Sequence, residues 1–169
     1  LRVAHKPDSM EICFVPDNDY VGFLEETYNY KPKKGNFVDM KGNVLGKHNG
    51  IINYTVGQRK GLGIAFGKPV YVNKIIPERN EVVLGSNDDL FNTTVYADNV
   101  NFCAWESIEG EKRAKAKIRY AHKASPCTVS CENGILKCVF DEPQRAATPG
   151  QALVVYDEDN YVLCGGTII

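Results

Sequence analysis

Apolar and polar residues alternate over short stretches of this chain, and each stretch stops at turn-forming residues. VYVNKII (70–76), EVVLG (81–85), AKIRY (116–120), CTVSC (127–131), ILKCVF (135–140) and ALVVY (152–156) are rich in β-branched and other apolar residues, as strands are. Lys41-Gly42-Asn43, Asn49-Gly50, Pro77-Glu78-Arg79-Asn80, Asn133-Gly134 and Asp157-Glu158-Asp159-Asn160 punctuate the chain. Short strands with frequent turns predict a mainly β protein built as a barrel or sandwich. One segment, NDYVGFLEETY (18–28), reads as a helix. Asn18 or Asp19 would cap it, and Phe23, Leu24 and Tyr28 partly share a face.

The clearest element is a hairpin at Asn133-Gly134, a dipeptide in which both residues tolerate positive φ. A two-residue loop there pairs Glu132 with Ile135, Cys131 with Leu136, Val129 with Cys138 and Cys127 with Phe140. One face then carries Cys127, Val129, Cys131, Leu136, Cys138 and Phe140, all apolar, and is predicted to be core. Three of the six cysteines are thereby read as small buried hydrophobes. A polar, turn-rich run at 86–94 (SNDDLFNTT) marks a boundary. It separates a first module, about 17–86, from a second, about 93–169, with residues 1–16 as the tail of something upstream.

Composition narrows the classes. With 169 residues, 43% hydrophobic and 24% charged, the chain has ample material for a core and the usage of an ordinary globular protein. A formal net charge of -1 excludes a uniformly basic nucleic-acid binder but not a local basic face. No apolar run approaches a membrane span. The start, LRVAHKPDS, has neither an initiator Met nor an apolar signal core, so a domain fragment is expected. The cysteines are too sparse for a disulfide scaffold, and His5, His48 and His122 do not cluster with them at zinc spacing. No metal site is expected, and free thiols point to a reducing, cytoplasmic home.

Four stretches admit chemistry. In YTVGQRKGLGIAFGKP (54–69), glycines flank Arg59 and Lys60. The spacing fits neither the phosphate-loop nor the dinucleotide pattern, which leaves an RNA-backbone contact or a plain glycine-permitted loop. In EKRAKAKIRYAHK (111–123), a strand would put Ala116, Ile118 and Tyr120 on one face and Arg113, Lys115, Lys117 and Arg119 on the other. That cationic row would follow a phosphate backbone or simply face solvent and discourage edge pairing. In DEPQRAATPGQALVVYD (141–157), a bent loop feeds a strand, with Gln151 at the strand's start. In SMEICFVPDNDY (9–20), Cys13 alternates with Ile12 and Phe14. It is either a small core residue or a nucleophile helped by a following helix N-terminus.

Taken together, KPDSMEICFVP (6–16), GNVLGKHNGIINYTVGQRKGLGI (42–64), FDEPQRAATPGQALVVYD (140–157) and the ending CGGTI (164–168) resemble the bacterial tRNA-specific 2-thiouridylase family. The likeness runs through nearly the whole chain, in order. It implies a small central β-rich domain followed by a C-terminal β-barrel similar to one in translation elongation factors. It also implies an N-terminal ATP-pyrophosphatase domain whose serine-glycine phosphate loop this sequence lacks. ATP would therefore be bound outside this chain. By the same resemblance Cys13 is the persulfide-bearing catalytic cysteine, with Glu11 where the family's usual glycine stands. Arg119, Tyr120 and Gln151 are the tRNA contacts, with His122 in place of a more frequent Gln or Arg. The implied reaction is adenylation of the wobble uridine at its C2 oxygen, followed by sulfur transfer from Cys13. A second cysteine in the missing domain then closes a disulfide with Cys13. The implied partners are tRNA and a sulfur-carrier protein, with no membrane and a monomeric enzyme. The fragment alone is expected to be inactive. The rival reading is a non-catalytic β-barrel RNA-binding module, and a third is a barrel that binds other proteins and no RNA.

Overall fold

The computed structural model describes Val15, residues 19–64 and residues 67–169. Cys13 therefore lies outside the described residues. The helix α1 runs Tyr20–Tyr28, capped by Asp19, whose carboxylate accepts the Gly22 N–H at 2.9 Å. It buries none of its residues; the Tyr20 hydroxyl donates to the Ile52 carbonyl, and Phe23 and Tyr28 meet edge to face.

Four strands form a first sheet: β1 (Gly35–Val38), β2 (Val44–His48), β3 (Tyr71–Ile76) and β4 (Glu81–Gly85), in the order β2-β1-β4-β3. The β1–β4 pair is parallel and the others antiparallel. Asp39 closes the β1–β2 turn by accepting from the Lys41 and Asn43 N–H groups, both at 2.8 Å. Phe37, Leu62, Val72, Val82 and Leu84 make the core of this unit. Leu62 comes from the glycine-rich segment, so that segment is anchored rather than loose.

Among the described residues His48 is the one buried polar side chain, at 2% exposure. The Gly50 N–H donates to its Nδ1 at 3.0 Å, so Nε2 carries the proton and donates to the Asn80 carbonyl at 3.1 Å. Its ring meets Phe37 and Tyr54 edge to face. Burial pushes its pKa down and keeps the imidazole neutral.

A six-stranded closed barrel follows: β5 (Phe91–Phe102), β6 (Lys112–Lys117), β7 (Ser125–Glu132), β8 (Ile135–Arg145), β9 (Ala152–Tyr156) and β10 (Val162–Ile168). Its order is β10-β5-β8-β7-β6-β9, and closure of β9 on β10 leaves no free edge. The β7–β8 hairpin has the register predicted from Asn133-Gly134, with Cys127 opposite Phe140 and Cys131 opposite Leu136. Asn133 and Gly134 both take positive φ, 50° and 77°. Cys127, Val129, Leu136 and Cys138 are fully buried and Phe140 nearly so; Cys131 is partly buried against the same core. The mainly β class, with a small β unit ahead of a barrel, is the architecture expected.

One expectation needs correction. AKIRY is not a strand throughout: β6 spans Lys112–Lys117, and residues 118–121 bend away. Tyr120 consequently does not share the inner face of Ala116 and Ile118 but stands 91% exposed. The alternation Ala114, Ala116, Ile118 continues inward to the strand's end, and the chain then turns toward β7. Within the polar run at 86–94, β5 begins at Phe91.

Candidate functional site

The cationic row on β6 is partnered within the barrel. Arg113 makes a bidentate pair with Asp141, both contacts at 2.7 Å, and donates to Thr128 Oγ1 at 3.1 Å. Lys115 reaches Glu158 at 3.2 Å, Lys117 lies over the Tyr156 ring and Lys112 over Trp105. Each pair is at least partly exposed, so it contributes little to stability. Its consequence is electrostatic: acids answer the charges of Arg113 and Lys115, while Lys112 and Lys117 rest on aromatic rings.

Arg119 sits past the strand and does something different. Its guanidinium donates to the Ala146 carbonyl at 2.9 Å and approaches Thr148 Oγ1 at 3.4 Å. Thr148 donates to the same carbonyl at 2.9 Å. Arg119 thus clasps the bend that leads, through Pro149 and Gly150, to Gln151. Ala146 is 1% exposed and takes a left-handed φ of 55°. That conformation costs an alanine about 1–2 kcal/mol, and here three hydrogen bonds surround it, the third from its own N–H to the Leu90 carbonyl at 2.8 Å. Gln151 is exposed just before β9. Its backbone is fixed on both sides: its N–H donates to Thr148, and its carbonyl accepts from Ile168 at 2.8 Å.

The glycine-rich segment meets this clasp. A Cβ on Gly57 would lie 3.3 Å from Ala146 Cβ, 3.7 Å from Arg145 Nη1 and 3.8 Å from Arg119 Nη2. Val56, Leu90 and Ala146 form a small core of their own at this seam, with Tyr71 against it. Gly57, Arg119 and the stretch 145–148, from three separate parts of the sequence, therefore converge where the small sheet touches the barrel. Arg145, not singled out by the sequence, is part of the seam. It donates to Asn87 Oδ1 at 3.2 Å and lies over the Tyr71 ring at 5.6 Å. Its only sequence signal was its place beside Ala146.

Between the two units runs a cleft of about 740 Å³, with Tyr54, Asn73 and Lys74 on one side and Thr94, Tyr96 and Thr148 on the other. The Asn73 amide nitrogen there is shielded and has no hydrogen-bond partner among the described residues. Among the described residues no cluster of three or more His, Cys, Asp or Glu could hold a metal ion. No helix among them is long and apolar enough to cross a membrane. Cys103, Cys127, Cys131, Cys138 and Cys164 are all free thiols. The described residues do not fit ATP either. The one glycine-rich segment runs from a 3-10 turn at 51–53 into β3, with no helix N-terminus at which phosphates would sit.

Comparison with known proteins agrees with this architecture. The family model described as tRNA methyl transferase PRC-barrel domain matches residues 22–86. The model described as aminomethyltransferase beta-barrel domain matches residues 92–169. The chain is 56% identical over 170 aligned positions to the tRNA-specific 2-thiouridylase MnmA of Lachnoclostridium phytofermentans. It is 54% identical to the protein of that name in Acetivibrio thermocellus and 51% identical to that in Clostridioides difficile. Each match covers 100% of this chain but only 47%, 47% and 46% of the relative, so the chain spans about half the length of the curated relatives it matches. With both family models matched in order and more than half of the aligned residues shared along its entire length, the chain belongs to the tRNA-specific 2-thiouridylase family.

Proposed function

We propose that this chain forms the tRNA-docking and sulfur-presenting part of an enzyme that thiolates C2 of the wobble uridine of tRNA. The observation that carries the reading is the 56% identity, extending over all of the chain, to a protein named for that activity. In this reading residues 17–86 and 93–169 are the central domain and the tRNA-contacting barrel, and residues 1–16 carry Cys13 at the edge of the catalytic domain. The enzyme is cytoplasmic and monomeric, and a sulfur-carrier protein loads Cys13.

Arg119, Tyr120 and Gln151 are the tRNA contacts. Tyr120, 91% exposed, offers a ring for base stacking. Gln151 is exposed on a backbone fixed at both flanks, so its amide is presented in a set direction. Arg119 orients the loop between them and adds positive charge. Adenylation of the uridine belongs to a part of the enzyme outside these residues, and nothing here replaces it.

Cys13 holds the sulfur as a persulfide. Its terminal sulfur forms the bond to C2, and the C2–O bond of the adenylated uridine breaks with AMP as the leaving group. A second cysteine thiolate, outside this chain, then attacks the Cys13 sulfur. The S–S bond to the transferred atom breaks, that atom stays on C2, and the two cysteines are left oxidised as a disulfide. Sulfur suits both steps because thiolates are nucleophilic near neutral pH and exchange S–S bonds readily.

The docking half is tested by titrating the chain against tRNA at several salt concentrations. Binding that weakens as salt rises is expected. Binding that is absent or indifferent to salt contradicts it.

A further inference from the structure

The charge of this protein is divided unevenly. Between residues 27 and 77 there are nine lysines and arginines and a single acid, Asp39. From residue 92 to the end there are eight lysines and arginines against ten acids. From Gly35 to Gly85 the small sheet carries seven lysines and arginines against three acids, so a net charge of -1 hides a basic small sheet beside a mildly acidic barrel. Long-range attraction of a polyanion follows this local charge rather than the total. It also reverses the emphasis on β6, whose cations are mostly answered inside the barrel.

Within the basic half, one segment is built to present its charges. Gly57 N–H donates to the Val72 carbonyl at 2.7 Å, and Val72 N–H donates back to the Gln58 carbonyl at 2.9 Å. The Gln58 side chain accepts from Thr55 N–H and donates to the Lys60 carbonyl, each at 2.9 Å. Leu62 is buried in the small core. The segment is thus fixed at three points, and Gly57, Gly61 and Gly63 supply the left-handed φ values, between 70° and 88°, that its turns require. Arg59, Lys60 and Lys68 are exposed, and among the described residues their side chains make no hydrogen bond or ion pair. Arg59 and Lys68 flank one open groove of about 370 Å³ floored by Leu62, Ile64 and Val70. Gly57, at the start of the segment, lies against Arg119 and Ala146, which puts the segment beside the bend that leads to Gln151.

We propose that Arg59, Lys60 and Lys68 form a second RNA-phosphate site, which grips the tRNA backbone beside the barrel's contacts. This rests on the reading of the chain as a tRNA-docking unit and adds a site to it. Fixed backbone and unpaired, flexible cations suit a phosphate contact that positions without reading sequence.

The test compares two variants of equal charge in tRNA titrations from 0.05 to about 0.3 M salt, a range over which phosphate contacts register. R59Q/K60Q/K68Q removes the proposed site. K31Q/K33Q/K34Q removes three exposed lysines ahead of β1. All six positions are exposed, and matching thermal melts verify the fold. The site predicts that the first variant lowers the salt slope by about 2, at roughly 0.7 per phosphate, and weakens binding roughly 100-fold near 0.1 M. The second should lose less than a third of that. Equal losses in both variants would reduce the effect to overall charge and overturn the site. So would wild-type binding by the first variant while Tyr120→Ala binds weakly, a result that leaves the docking reading standing. A wild-type chain with no salt-dependent binding overturns both.

Discussion

Replacing Arg119 with alanine removes a clasp as well as a charge, and the two effects are separable. The Ala146 carbonyl loses a charge-assisted hydrogen bond of 2.9 Å, and Thr148 loses a weaker contact at 3.4 Å. Hydrogen bonds to charged groups contribute about 1.5–3 kcal/mol. Arg119 is partly exposed, and the Thr148 hydroxyl still serves the same carbonyl, so the lower end, about 1.5 kcal/mol, applies. At about 2–4 °C per kcal/mol for a chain of this size, the melting temperature should fall by roughly 3–6 °C. Calorimetry or circular dichroism measures this without any RNA. Thr148→Val removes the other donor to that carbonyl. The double variant should depart from additivity by roughly 0.5 kcal/mol or more, because the two groups share one acceptor. Arg119→Ala melting with the wild type, or strictly additive losses, would refute the clasp and return Arg119 to a purely surface role.

Other perturbations follow from the same structure. Gly35→Ala would put a Cβ 2.1 Å from the Asn80 carbonyl and 2.6 Å from the His48 ring. Backbone must shift there, so urea denaturation should show a loss of roughly 1–3 kcal/mol or more. His48 is neutral when folded and has a lowered pKa. The unfolded chain therefore takes up that proton first, and stability should be full above about pH 6.5 and decline as pH falls below it. The decline should be at most about 1.4 kcal/mol per pH unit and should vanish in His48→Gln, by thermal melts across pH. Burial pushes the Cys164 thiol up to about 11, and the hydrogen bond to Cys127 together with burial pushes Cys138 up as well. At pH 8 a thiol reagent should label exposed Cys103 in the native chain and reach Cys127, Cys138 and Cys164 only on unfolding.

The parts of this fold that periodicity revealed are those with two-sided alternation. The β7–β8 hairpin combines an Asn-Gly turn with an apolar face, and its register followed directly. β5 was hidden because Asn92, Thr93 and Thr94 near its start are polar and its outer face is exposed. β1 was hidden because it is only four residues long, GNFV, and β2, VLGKH, because His48 is its one buried residue. AKIRY misled because alternation is a local signal, whereas the end of β6 is set by the turn into β7. The seam was visible only as separate motifs. Gly57, Arg119 and Ala146 are far apart in sequence, and only closure of the barrel against the small sheet brings them within contact distance. Charge showed the same limit. The row on β6 was conspicuous in sequence, yet Asp141 and Glu158, which answer it, come from other strands and loops.

The central claim is that this chain serves sulfur transfer to tRNA, and its product measures it most directly. The full-length protein carrying this chain, incubated with tRNA, ATP and a persulfide donor, should form 2-thiouridine at the wobble position by nucleoside mass spectrometry. Cys13→Ser should abolish that product while leaving tRNA affinity nearly unchanged. Absence of 2-thiouridine with the wild-type protein, or undiminished 2-thiouridine with Cys13→Ser, would contradict the account.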